Sequence, residues 1–119
     1  MPPDGLTHLR VTLSKTAYIG PGRADLLELI DTTGSISAAG KAMGMSYKRA
    51  WGLVQALNHG FGLALVESSR GGAAQGGAQL TEAGRFVLDR YRSMQDKTRQ
   101  AIADDVVALR QKFDMSGRK

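Results

Sequence analysis

A mainly α-helical fold with a small β-hairpin is predicted by three observations. Residues 35–57 read as two short helices joined at Gly44, with no acidic residue between Asp31 and Glu67. Two brief apolar runs then flank the glycine-rich stretch Arg70-Gly71-Gly72-Ala73-Ala74-Gln75-Gly76-Gly77. A helical pattern without proline follows from Thr81 to about Phe113. A short helix, a glycine turn, a capped second helix and a hairpin form the layout of a winged helix-turn-helix, and the last segment adds a long C-terminal helix suited to dimerisation.

The elements follow in order. His8 to Ser14 alternates Leu9, Val11 and Leu13 with polar neighbours, the period-two pattern of a short edge strand with one buried face. Gly20-Pro21-Gly22 breaks the chain, and Leu26, Leu27, Leu29 and Ile30 with interspersed acids predict an amphipathic helix that ends at Gly34. Ser35 or Ser37 can cap the next helix, whose small residues Ala38, Ala39, Gly40 and Ala42 admit a close neighbour before Gly44 ends it. Ser46 caps the third. There Ala50, Leu53, Val54 and Leu57 fall at i, i+3, i+4 and i+7, an inward stripe that leaves Tyr47, Lys48, Trp51, Gly52 and Gln55 outside. An indole beside Ala50 also fits a core position, so Trp51 can be read either way.

After Gly60 and Gly62, Leu63 to Val66 and Ala78 to Leu80 are expected as the two strands of a wing around the glycine-rich loop. Thr81 caps the final helix, roughly 33 residues or ~50 Å at 1.5 Å per residue. Leu88, Tyr91, Thr98, Ile102, Val106, Leu109 and Phe113 keep a three-to-four spacing along it, with Gln95 and Asp105 in or beside the stripe. A helix that outreaches a small domain must bury its stripe, and a second copy of the chain in a two-fold dimer is the expected cover. Residues 1–80 are thus read as the winged helix-turn-helix domain, with the helix-turn-helix at about 35–58 and the wing at about 64–80. Residues 81–114 form the dimerisation helix and 115–119 a tail.

Composition narrows the function. The chain has 119 residues, one domain's worth with an extension, and 16 Lys and Arg against 11 Asp and Glu give a net charge of +5, compatible with a polyanionic partner. Lys41, Lys48, Arg49 and His59 lie in the acid-free window, so the basic face coincides with the helix pair. No cysteine is present, which excludes disulfides and thiolate sites. The N-terminal sequence lacks the apolar run of a signal peptide, and no segment approaches the roughly 18 apolar residues of a membrane span. A cytoplasmic protein without a membrane partner is expected. His8 and His59 are isolated, no nucleophile, base and acid recur at useful spacing, and Asp104 and Asp105 are adjacent surface positions, so neither an enzyme nor a metal site is expected.

Double-stranded DNA is the expected partner. Tyr47, Lys48 and Arg49 stand in the first turn of the third helix, where side chains reach deepest into a major groove. Lys48 can donate to guanine or phosphate, Tyr47 can contact phosphate or a thymine methyl, and Gln55 can reach adenine or the backbone. Ser35, Ser37 and Ser46 lie at helix N-termini that suit a phosphate. The loop lacks the Lys and Ser or Thr of a nucleotide-cradling P-loop. As a wing it offers Arg70, Gly71, Gly72 and Gln75 to the backbone or minor groove.

Residues Gly34 to Val54, GSISAAGKAMGMSYKRAWGLV, followed by LVESSRGGAAQGGAQLTEAG and a long helix, resemble the N-terminal DNA-binding domain of ModE-type molybdate-responsive transcription regulators. The resemblance runs from about Asp25 to Tyr91 and centres on Ser46-Tyr47-Lys48, Ala50-Trp51, the glycine-pair wing and Leu80-Thr81. The broader LysR-type regulators share the winged plan and the Leu-Thr-x-Ala-Gly opening of the last helix, here Leu80 to Gly84. The resemblance implies a dimeric, sequence-specific regulator with Ser46, Tyr47, Lys48 and Trp51 at the groove. Family members sense molybdate through C-terminal oxyanion-binding domains, and this chain stops soon after the long helix. That domain is expected to be absent, Met1 and the basic tail point to a natural single-domain relative, and no cofactor or response to molybdate or tungstate is carried over. Two other readings are a nucleoid-type architectural protein that uses the same charges without reading sequence, and a protein-interaction module built on Tyr47 and Trp51.

Overall fold

The computed structural model describes residues 5–69 and 77–113. Two short antiparallel strands open the chain, β1 at Val11–Thr12 and β2 at Tyr18–Ile19, paired Val11 to Ile19 and Thr12 to Tyr18. The expected strand over His8 to Ser14 is therefore cut to two residues. The Ser14 hydroxyl accepts from the Thr16 and Ala17 amides at 3.3 and 3.1 Å, closing a tight turn that leaves Leu13 64% exposed. Sequence alternation marked one strand of this hairpin and missed its partner.

Helix α1 spans Pro21–Thr33 and ends at Gly34 in the left-handed conformation, φ 73°. Pro21 opens this helix rather than breaking the chain, since its fixed φ and missing N–H suit the first helical position. Leu26, Leu27 and Ile30 are fully buried. Helix α2, Ile36–Ala42, is capped by Ser35, whose hydroxyl accepts from the Ala38 amide at 3.0 Å; Ser37 lies inside the first turn, exposed. Of the four small residues expected to admit a neighbour, only Ala39 and Gly40 face inward. A Cβ on Gly40 would sit 2.8 Å from the Ala50 Cβ, so glycine is what lets α2 meet the following helix.

Gly44, φ 75°, turns the chain into helix α3, Tyr47–Phe61, capped by the Ser46 hydroxyl accepting from the Arg49 amide at 3.1 Å. Ala50, Val54 and Leu57 are buried and Leu53 partly so, as the stripe predicts. Gly60 lies inside α3, and the left-handed stop falls at Gly62. The wing is a second antiparallel pair, β3 at Val66–Ser69 and β4 at Gly77–Leu80, with Val66 opposite Leu80. It starts later than the apolar run Leu63 to Val66 suggests, because the Asn58 carboxamide holds the Leu65 and Val66 amides at 2.8 and 3.2 Å and leaves Leu63 62% exposed. The Ala78 amide donates to the Gly34 carbonyl at 2.9 Å, tying β4 to the end of α1.

Helix α4 runs over Glu82–Lys112, with Phe113 as its C-cap; the Thr81 hydroxyl accepts from the Gly84 amide at 3.0 Å. Its first half crosses α1. Arg92 pairs with Asp25 at 2.9 Å and Glu28 at 2.7 Å, and Arg85 with Asp31 at 3.1 Å, so the acids that give α1 its polar face are engaged by α4. One core results, shared by α1, α2, α3, the wing and the first half of α4.

Candidate nucleic-acid interface

Helical geometry orders the outer surface of α3. At 100° per residue, Lys48, Gly52, Gln55 and His59 form a central row opposite buried Ala50, Val54 and Leu57, and all four are exposed. Tyr47 and Trp51 flank one side of this row and Arg49 the other. Tyr47 is 54% exposed and Trp51 46%. The two readings of Trp51 thus resolve to the outer face, because the Cβ one position after Ala50 is rotated about 100° from the stripe.

The structure brings Ser46, Tyr47, Lys48, Arg49, Trp51 and Gln55 onto one helix surface. Ser35 and Ser37 stand apart at the start of α2, where Ser35 is committed to its cap. The two serine-capped N-termini, of α2 and α3, carry no acid in their first turns. The positive ends of their dipoles therefore meet no local carboxylate. Arg70, Gly71, Gly72 and Gln75 lie outside the described residues, although the strands on either side form the expected hairpin.

The dimer stripe needs correction. Leu88 is 7% exposed and Tyr91 is fully buried, both within their own domain, where the Tyr91 hydroxyl donates to the Leu9 carbonyl at 2.6 Å. They belong to the fold and not to a contact with a second copy, because the first half of α4 is laid across α1. Gln95, in the same row, is also buried; it accepts from Arg92 at 3.0 Å and donates to the Tyr91 hydroxyl at 3.4 Å. Burial pushes the Tyr91 phenol above its ordinary pKa. Beyond Gln95 no described residue of α4 is buried. Thr98, Ile102 and Val106 are partly exposed, and Leu109 and Phe113 are 61% and 59% exposed.

Among the described residues no group of three His, Cys, Asp or Glu could hold a metal ion, and no helix is long and apolar enough to cross a membrane.

Similarity to known proteins agrees with this geometry. The chain is 45% identical over 89 residues to the molybdenum-pterin-binding protein MopB of Rhodobacter capsulatus, covering 74% of this chain and 33% of that protein. It is 36% identical over 104 residues to the transcriptional regulator ModE of Yersinia pestis, covering 85% and 40%. With the DNA-binding transcriptional dual regulator ModE of Escherichia coli K12 it shares 35% identity over 100 residues, covering 82% and 38%. The chain thus spans between a third and two fifths of the length of these curated relatives. Among solved structures, the CbnR DNA-binding domain in complex with DNA superposes with a TM-score of 0.58 at 22% identity, covering 75% of this chain and 97% of that one, a likeness of fold. The full-length regulator LysG of Corynebacterium glutamicum with bound effector Arg gives 0.58 at 27% identity, covering 78% and 30%. Residues 23–85, just over half of the chain, match the description "Bacterial regulatory helix-turn-helix protein, lysR family". On the match that runs from α1 into the start of α4, the chain belongs to the lysR family of bacterial regulatory helix-turn-helix proteins.

Proposed function

We propose that the chain is the DNA-reading part of a sequence-specific transcription regulator that works as a homodimer in the bacterial cytoplasm. In this reading α3 enters the major groove with Lys48 and Gln55 toward base edges. Tyr47, Trp51 and Arg49 lie on its flanks, and the N-termini of α2 and α3, with Ser35, Ser37 and Ser46, face phosphates. The wing, with Arg70, Gly71, Gly72 and Gln75, lies along the backbone or minor groove. Thr98, Ile102, Val106, Leu109 and Phe113 face a second copy. No metal-oxyanion response is assigned to the chain.

The observation that carries the reading is Gly52. It stands in the middle of the outward row of α3, exposed, and a Cβ there would meet nothing within 4 Å. Glycine costs a helix interior roughly 1 kcal/mol relative to alanine, and nothing among the described residues asks for it. A large surface pressed against the helix would. Flanked by Lys48, Gln55 and Trp51 on a helix without an acidic residue, that surface fits the edge of a duplex.

Selection from random duplexes tests the whole reading, with an inverted repeat expected whose half-sites are about one helical turn, roughly 34 Å, or a multiple apart. Binding that bulk DNA displaces as readily as any selected site would replace it with an architectural role. Gly52→Ala is expected to raise thermal stability while weakening the selected complex. Lys48→Ala should weaken it too, with relaxed discrimination at one position if Lys48 reads a base and uniform loss if it holds a phosphate.

A further inference from the structure

Beside α3, on the flank marked by Arg49, the fold assembles a basic hollow of about 250 Å³ that the sequence alone does not announce. Arg10 comes from the approach to β1, Arg23 from the first turn of α1, Arg49 from α3 and His8 from the N-terminal segment, and among the described residues no carboxylate lines it. The two guanidiniums of Arg10 and Arg23 lie 3.7 and 3.8 Å from the centroid of the Tyr18 ring. Two groups that close cannot share one face, so Tyr18 is sandwiched between them and holds both in place.

Among the described residues nothing compensates this charge. Among the described residues none of the three arginines forms an ion pair, and the one side-chain hydrogen bond of Arg23 is a long contact of 3.4 Å to the Tyr18 carbonyl. Arg23 Nε is buried without an acceptor. The hollow also contains the start of α1, where Gly20 supplies no side-chain cap and no acid stands in the first turn. The Gly22 and Arg23 amides, in the first turn, have no helical acceptors, and Pro21 has no N–H. Three arginines at the positive end of a helix dipole repel one another and the dipole unless an anion joins them.

The hollow is continuous with the proposed reading surface. A shallower depression lined by Ser46, Lys48, Arg49, Gly52 and Leu53 shares Arg49 and Leu53 with it. The geometry points to a phosphate site for the DNA backbone, built by Arg10, Arg23 and Arg49 at the start of α1, that clamps the strand beside the groove entered by α3. The inference rests on the DNA-binding reading above and adds to it a contact from the N-terminal hairpin and α1. The chemistry recognised is a tetrahedral oxyanion, and shared access with Ser46 and Lys48 favours a backbone phosphate over a free ion.

Binding of a generic duplex, followed by fluorescence anisotropy over a series of KCl concentrations, tests the clamp in the wild type, Arg10→Gln, Arg23→Gln and a control on α4 that does not line the hollow, Lys97→Gln. Arg10 is exposed and, among the described residues, makes no side-chain hydrogen bond or ion pair beside the ring stack, so Arg10→Gln keeps the test clear of any folding defect in Arg23→Gln; thermal melts check both. Each of the two variants is expected to bind roughly tenfold more weakly and to lower the magnitude of the log-log salt slope by about 0.9, the value for one phosphate neutralised. The control should keep the wild-type slope. A wild type that binds duplex with slopes unchanged in both variants overturns the clamp and leaves the DNA-binding reading standing. A wild type that binds no duplex at low salt overturns that reading itself. Titration of the DNA-free protein with inorganic phosphate at constant ionic strength, read at the Gly22 and Arg23 amide resonances, separates the sources. Saturable shifts together with unchanged salt slopes would make the site one for free anions and overturn the backbone assignment.

Discussion

In the first half of α4 the inward row Gly84, Leu88, Tyr91 and Gln95 is buried, whereas in the second half the continuation of that row, Thr98, Ile102, Leu109 and Phe113, has no buried member. The two halves share period and helical geometry. What differs is their surroundings: α1 and the wing cover the first half, and nothing in the chain's described residues covers the second. An amphipathic period states which face of a helix avoids water, and does not state whose surface it will meet. In the first half that surface belongs to the same chain, with Arg85 and Arg92 anchoring the crossing on the α1 acids. In the second half the proposed cover is a second copy.

Substitutions can break this contrast, and the largest effect on folding is expected at Leu88. Leu88→Ala should lower unfolding stability by about 2–5 kcal/mol, the range for truncating a buried leucine, measured by urea titration. A loss below 0.5 kcal/mol would place Leu88 outside the core. Tyr91→Phe comes next. It removes the donor to the Leu9 carbonyl and should cost about 1 kcal/mol. Tyr91 also gives a pH dependence. Its folded pKa is raised by burial above the ordinary value of about 10, so the unfolded chain loses the phenolic proton first. Stability from this group is whole below pH ~10 and falls as pH climbs toward the raised value. Alkaline titration of stability should be shallower in Tyr91→Phe than in the wild type, and identical curves would remove the residue from the account. The smallest effect on the fold is expected from Ile102→Glu combined with Leu109→Glu. Unfolding of the dilute chain should change by less than about 0.5 kcal/mol, while sedimentation equilibrium should show the dimer lost. A dimer that survives both charges would mean that another face mediates association.

The helices of the reading head were legible because their limits are local. Ser35, Ser46 and Thr81 cap within three residues of themselves, Gly34 and Gly62 stop their helices with left-handed backbone, and the Ala50, Val54 and Leu57 stripe is a matter of spacing. The β1 and β2 hairpin was only half legible. Lys15, Thr16 and Ala17 carry no glycine or proline turn signal, and the Ser14 side chain that closes the turn acts through distances that spacing does not show. The role of Gly60 was not legible for a related reason. It lies inside α3, and its reason for being glycine is tertiary, since a Cβ there would strike the Thr16 carbonyl of that hairpin. The outward residues of α3 were legible as a set. Trp51 was not legible alone, since an indole satisfies either face until the packing of α3 is known.

The sequence by itself determined which residues cap the helices, which stripe of α3 turns inward, that its outer surface carries no acid, and that the last helix is amphipathic from end to end. Caps, stop glycines and helical period act within a turn or two, so a reading of neighbours captures them. Only the tertiary structure decided that half of the α4 stripe belongs to the domain's own core, that Asp25, Glu28 and Asp31 are spoken for by α4, and that Arg10, Arg23 and Arg49 converge on one hollow around Tyr18. Those facts join residues far apart in the chain, and it is the packing of α1 against its neighbours that sets the distances between them.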